Sequence, residues 1–380
     1  MVIYLITFIL SLFIIKIGLD IKKRNKILYL IIVTIGLLLP AILAALRDVT
    51  IGTDVRGYVL GSYNIAQKYN TFIDYFKNMP AEYAMQDFMY QLINWICYKI
   101  FNDFQMFLLV YEMIIIIAVY KSITLFTENK KNIVLSMLIF YLFWYNVTLN
   151  MVRQSLALAF TMLSLGYLNK NKKIKSLVCI LIAIGFHKTA IIGLIVNIMF
   201  LVYNSNKFSN KQKFGYSMII YLLSIVIVLG YQSFLNFLIR MNIYHQAQLY
   251  LNSINFDFSY LDNFIYVFVF IIIYFKKKKL KDNNINYDFC KFLCIESLIL
   301  LQFGIFIPFA ERSSFYLFYP LLINIMPIFD LNINFYYNKI YYNKNEFIQI
   351  SCIVVVFVCY WILNFAIWGT HNTVPYILQK

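Results

Sequence analysis

The sequence predicts an all-α, polytopic integral membrane protein with about twelve transmembrane helices, and three observations predict it. Of the 380 residues, 62% are hydrophobic and only 13% charged, which leaves too few polar groups to cover a water-soluble surface. The apolar residues fall in continuous runs without period-2 alternation, so the backbone groups must be satisfied within helices and not in a closed barrel. The 33 basic residues are gathered in the short polar gaps between those runs.

Taken in order, the runs place spans near 2–15, 27–46, 104–120, 133–149, 155–168 and 177–186, then 189–203, 216–231, 261–275, 289–307, 313–329 and 347–365. The first has no basic segment before it and no small-residue cleavage site after it, which reads as a retained helix and not a signal peptide. The whole of 1–380 is expected to form a single transmembrane domain. Its one long polar interruption, 47–103, reads as an extracytoplasmic loop with amphipathic or re-entrant helices. Cys97, Cys179, Cys290, Cys294, Cys352 and Cys359 lie in or beside apolar runs without metal-ligand spacing, and read as small buried hydrophobes. Glu112 and Glu296 fall inside spans, where ionisable groups are costly. Glu296 has Lys291 about a turn away as a structural partner, and Glu112 either meets a polar group of another helix or sits protonated.

Alternating the sides of the membrane puts 23 of the 33 basic residues on one face, and the positive-inside bias makes that face the cytoplasm. The net charge of +16 is therefore mostly a topology signal, with membrane lipid headgroups as partner and no case for nucleic acid. Lysine divides 22 inside to 5 outside, yet five of the six arginines, Arg47, Arg56, Arg153, Arg240 and Arg312, fall outside. A planar guanidinium fork holds phosphate or carboxylate oxygens bidentately, which an ammonium cannot do. His187, His245 and His371 lie on the same face.

Along that face, Arg47-Asp48 leads into Gly52-Thr53-Asp54, Arg56 and Tyr58. Gly52 permits a positive φ, and Asp54 either caps the next turn through its carboxylate or takes part in chemistry. Asn150 and Arg153-Gln154 open the helix that ends near Asn169. A tight loop to Lys175 then returns the chain outward to Gly185-Phe186-His187-Lys188. Helices joined by so short a loop are antiparallel neighbours, so Arg153 and His187 share one rim. Arg153 either snorkels to headgroups or binds an anion, and His187 is either structural or a proton acceptor. A loop from Gln232 to Tyr260 carries Arg240 and His245, with Tyr244 and Tyr250 as sugar-stacking faces, and Glu311-Arg312 sits between two later spans.

Arg47, Gly52-Thr53-Asp54 and Tyr58, then Asn150, Arg153-Gln154 and Ala157, then Phe186-His187-Lys188-Thr189-Ala190, resemble in order and spacing the EpsG-type family of Wzy-like polysaccharide polymerases. The resemblance is strongest from Arg47 to Leu194. It implies a GT-C-like enzyme of the bacterial plasma membrane that joins undecaprenyl-diphosphate-linked repeat units on the extracytoplasmic face. A chain-length regulator and a flippase of the same pathway are its expected neighbours, and no cofactor or metal is expected. In that setting His187, Arg153 and Asp54 are the catalytic candidates. Arg47, Arg56, Gln154, Lys188, Arg240, Glu311 and Arg312 are the candidates for holding diphosphate and sugar. The rival readings are a flippase for the same lipid-linked oligosaccharide, or a membrane O-antigen ligase or acyltransferase. A flippase should show related halves and charge reachable from both faces, whereas no internal repeat is evident and the arginines are one-sided.

Overall fold

The computed structural model describes residues 1–80, 87–241, 259–275, 286–307, 309–326 and 344–379. Among them every regular element is helical, apart from one isolated antiparallel bridge between Arg47 and Leu378. Each of the twelve apolar runs carries helix. Among the described residues five helices are long and apolar enough to cross a membrane: Val2–Ile21, Lys26–Ala45, Phe104–Phe126, Asn210–Leu229 and Ile350–Ile367. The molecule is an all-helical membrane protein that divides into two compact units, Met1–Ala190 with Asp330–Lys380, and Ile191–Phe329.

In the first unit, α1 (Val2–Ile21) and α2 (Lys26–Ala45) form an antiparallel pair. Asn25 caps α2 by accepting the Leu28 N–H at 3.0 Å. A side-chain carbon at Gly36 would stand 2.9 Å from Ile15, so the close approach of the two backbones depends on its absence. Pro40 inside α2 has no N–H for the Gly36 carbonyl four residues earlier, and the Ser11 hydroxyl donates to that carbonyl instead, at 2.7 Å. The short helices α3 (Leu60–Ile65) and α4 (Phe72–Lys77) lie in the polar interruption, followed by α5 (Phe88–Phe101). At 14 residues, α5 is shorter than a full crossing. Asp103 then caps α6 (Phe104–Phe126) by accepting from Gln105 and Met106.

The next apolar run is a broken helix: α7 (Lys130–Ile139), a π-helical turn Phe140–Trp144, and α8 (Tyr145–Thr148). Then come α9 (Val152–Asn169) and α10 (Lys173–Phe186), joined by a tight turn with Asn171 at positive φ. They are antiparallel, as the short loop requires: Ser164 donates to the Ser176 carbonyl at 2.8 Å near one end, and Phe160 packs on Phe186 near the other.

The second unit begins with α11 (Ile191–Asn204) and α12 (Asn210–Leu229), the latter opened by a capping box of Ser209 and Gln212. The segment expected as loop from Gln232 instead starts with a helix, α13 (Tyr231–Arg240). It forms because Leu235 finds a buried apolar seat against Val228, Phe303 and Ile307, leaving Arg240 exposed at its end. His245, Tyr244 and Tyr250 lie outside the described residues. Helices α14 (Tyr260–Phe275), α15 (Leu301 at its end, from Tyr287) and α16 (Phe315–Tyr319) complete this unit. Glu296 accepts from the Ser224 hydroxyl of α12, which corrects the expected pairing with Lys291: a short side chain on a packed neighbour reaches it where a residue five positions along its own helix does not.

The first unit closes with α17 (Lys344–Trp361), a π-helical extension Ile362–Ile367, and a tail that folds back over residues 46–52. Asp48 donates its N–H to Ile377, Gln379 to Leu46 and Gly52 to Asn372, while Tyr4 donates to the Thr373 carbonyl at 2.6 Å.

Candidate functional site

The predicted residues of the first unit meet where the loop after α2, the start of α9 and the end of α10 come together. Gly52 holds φ +88°, and a side-chain carbon there would stand 2.6 Å from the Leu149 carbonyl, so the loop can cross the 149–150 turn only with glycine at this point. Asn150 then ties the two segments: its Oδ1 accepts the Asp54 N–H at 2.8 Å and the Thr53 hydroxyl at 3.2 Å. With Oδ1 occupied by two donors, the amide nitrogen must donate to His371 Nδ1, 2.9 Å away. The carboxylate of Asp54 does not cap the turn that follows. It accepts instead from the Tyr58 hydroxyl at 3.3 Å, because Asn150 already serves the backbone.

Arg56 is exposed on the π-helical turn Val55–Val59, beside Gly57 in open space. Tyr58, on the same turn, faces inward to Arg153. The Arg153 guanidinium lies over the Tyr58 ring at 4.9 Å and over the Tyr90 ring at 5.9 Å, a stacked setting that suits a delocalised planar cation. Its nearest carboxylate is Asp87, at 3.6 Å, and the two side chains are 21% and 7% exposed. Gln154, next along α9, is buried.

Asp87 was not marked by sequence reasoning, since it falls in a stretch read for its apolar residues. The available signal was its place directly before the helical run that begins at Phe88. It connects the two halves of the rim, because besides Arg153 it accepts the backbone N–H of Lys188. Burial pushes its carboxyl up to about 6, with the charges of Arg153 and Lys188 pulling the other way. His187 ends α10 in extended conformation, with Nδ1 2.7 Å from the Thr189 hydroxyl, and Lys188 is exposed beside it. The Thr189 backbone N–H also donates to Nδ1, at 3.4 Å, so Nδ1 is the nitrogen that holds the lone pair in this geometry and the Thr189 hydroxyl donates to it as well.

Arg47 is placed differently. It is fully buried, donating to the carbonyls of Ala44 and Leu149 and to the Tyr111 hydroxyl, so in this conformation it braces three segments and presents no fork to a ligand. Glu112, the next residue of α6, accepts the Thr148 hydroxyl at 2.8 Å, the polar contact with another helix that its position called for. Arg240, Glu311 and Arg312 belong to the second unit; Arg312 stacks on Phe309 at 4.3 Å. Among the described residues no cluster of histidine, cysteine or carboxylate gathers to hold a metal ion.

The model of the EpsG family matches residues 30–378, nearly the whole chain. No curated protein and no solved structure matches it.

Proposed function

The chain belongs to the EpsG family, which is associated with Wzy-like polymerases and membrane polysaccharide biosynthesis, and on that premise we propose that it polymerises undecaprenyl-diphosphate-linked oligosaccharide repeat units. In this reading the chain crosses the plasma membrane about twelve times in a GT-C-like arrangement, and the reaction takes place on the extracytoplasmic face. A hydroxyl of the incoming repeat attacks the anomeric carbon of the growing glycan. The new carbon–oxygen bond forms as the bond to the diphosphate breaks, and the lipid diphosphate leaves with the electron pair. The hydroxyl proton passes to His187, with Asp54 as the alternative acceptor.

The observation that carries the reading is the setting of Arg153. Its charge lies on aromatic faces, with the Tyr58 hydroxyl as a hydrogen-bond partner and Asp87 as an ion partner at 3.6 Å, and its buried Nε has no acceptor among the described residues. A buried donor without an acceptor is costly, and an oxygen of the departing diphosphate would satisfy it. Preorganised cations in a recess of low dielectric stabilise charge that develops only in the transition state. Lys188 and Arg56, both exposed near this rim, supply further positive charge for the diphosphate and sugar. The neutral amide of Gln154 is a candidate sugar contact, while Arg47 acts as a brace of the loop that carries Asp54.

The test is reconstitution. Purified protein in lipid nanodiscs, given a synthetic lipid-diphosphate oligosaccharide, should yield a ladder of products spaced by one repeat. Vesicles in which the substrate changes leaflet without growing in length would overturn the polymerase in favour of the flippase.

A further inference from the structure

The second unit contains a cavity of about 250 Å³ that plays no part in the proposed reaction. It lies between the C-terminal end of α11 and the N-terminal ends of α12 and α15. Tyr203, Asn210, Lys213, Ser217, Asp288 and Lys291 are among its lining residues. Two helices therefore begin at its mouth, and helix N-termini carry the positive end of the backbone dipole. One turn inside each stands a half-buried lysine. Lys213 donates to the Tyr203 carbonyl at 2.9 Å and keeps two further protons, and Lys291 makes no hydrogen bond among the described residues. The Ser217 and Tyr203 hydroxyls bond each other at 2.6 Å at the buried side.

Below this polar mouth the wall of α12 changes character. Met218, Ile219, Leu222, Leu223 and Val226 are exposed along a helix apolar enough to cross a membrane, and Met218 and Leu222 continue the face of the cavity-lining Phe214, so a lipid tail can run beside the cavity's edge. The loop that leads into it carries Lys207 and α12 opens with Lys211, in keeping with the basic side of the topology.

We propose that this cavity binds the phosphodiester of an anionic phospholipid, with Lys213 and Lys291 on the phosphate oxygens and the acyl chains lying along the exposed face of α12. The volume is below the roughly 300–1,000 Å³ of sites for whole organic ligands, which suits a headgroup and excludes an oligosaccharide. Asp288, exposed at the rim, opposes the anion and limits its affinity.

The experiment is native mass spectrometry of the full-length protein, delipidated in detergent and titrated with phosphatidylglycerol, phosphatidylcholine, glycerophosphoglycerol or inorganic phosphate. Phosphatidylglycerol should bind, and phosphatidylcholine should not displace it. Lys213→Ala and Lys291→Ala should each weaken it by about five-fold. Asp288→Asn should tighten it, a change of sign that misfolding cannot imitate. Unchanged affinity in both lysine variants, or weakening by Asp288→Asn, would overturn the site. Equal binding of glycerophosphoglycerol or inorganic phosphate would overturn the lipid as its source.

Discussion

Arg47 and Arg153 belong to the same packed unit and look alike in the sequence, each an arginine beside a polar residue at the end of an apolar run, but their guanidinium groups are set in opposite ways. Around Arg47 the acceptors are backbone carbonyls and a phenol, and the side chain is entirely enclosed. Around Arg153 the neighbours are the faces of Tyr58 and Tyr90, the Tyr58 hydroxyl and, among the described residues, the Asp87 carboxylate 3.6 Å away, and a fifth of the side chain is open. A guanidinium ringed by carbonyls ties backbones together. One laid on aromatic faces, with fewer acceptors and part of its surface open, still has room for an incoming oxygen. The comparison teaches that an excess of arginine on one membrane face mixes two uses of the same group, and that only its immediate acceptors separate them.

The largest test of this contrast is the removal of Arg153. Arg153→Ala should lower the rate of chain extension by roughly 10² to 10³, the usual cost of deleting one electrostatic donor from a transition state. Arg153→Lys should remain defective, since an ammonium cannot replace the fork. Normal chain lengths with lysine would break the argument.

Arg47→Met should show the reverse pattern. Leaving the Ala44 and Leu149 carbonyls without their donor, and Glu112 without a nearby opposite charge, should cost on the order of 3 kcal/mol of stability. Thermal melting in detergent and abundance in the membrane both report it. A variant that melts normally but makes no polymer would move Arg47 to the chemical side of the comparison.

The smallest effect concerns the carboxylate that separates the two settings. The Asp87 pKa in the folded protein, about 6, lies above its ordinary value of 3.8. The folded state therefore binds the proton more readily than the unfolded one. The stability tied to that proton is fully present below the ordinary value and is lost as pH rises through about 6. Melting temperature plotted against pH should fall between these limits in the wild type, and Asp87→Asn should flatten that part of the curve. An unchanged slope would show that Asp87 is not held in the buried position beside Arg153.

Much of the frame was legible from local pattern. Each apolar run became helix, Gly52 took its positive φ, and the tight loop after α9 brought Arg153 and His187 to the same rim with Asp87 between them. Each of these follows from a few neighbouring residues. Asp87 itself, the enclosure of Arg47, and the contact of Asn150 with the Asp54 N–H were not legible, because each depends on partners between 66 and 102 residues away. The helix α13 was missed for the same reason, since its one buried anchor, Leu235, rests on residues of α12 and on the turns after α15.

Composition, hydropathy and the division of lysine from arginine were enough to determine a helical membrane protein and the segment of chain on which its polar chemistry gathers. Those properties act through solvent preference, and the bilayer reads them from each stretch separately. Whether a given guanidinium is enclosed or left partly open was decided by the tertiary structure alone. The acceptors that engage the Arg47 guanidinium come from distant segments such as the Leu149 carbonyl and the Tyr111 hydroxyl, and they become its neighbours only when the helices pack.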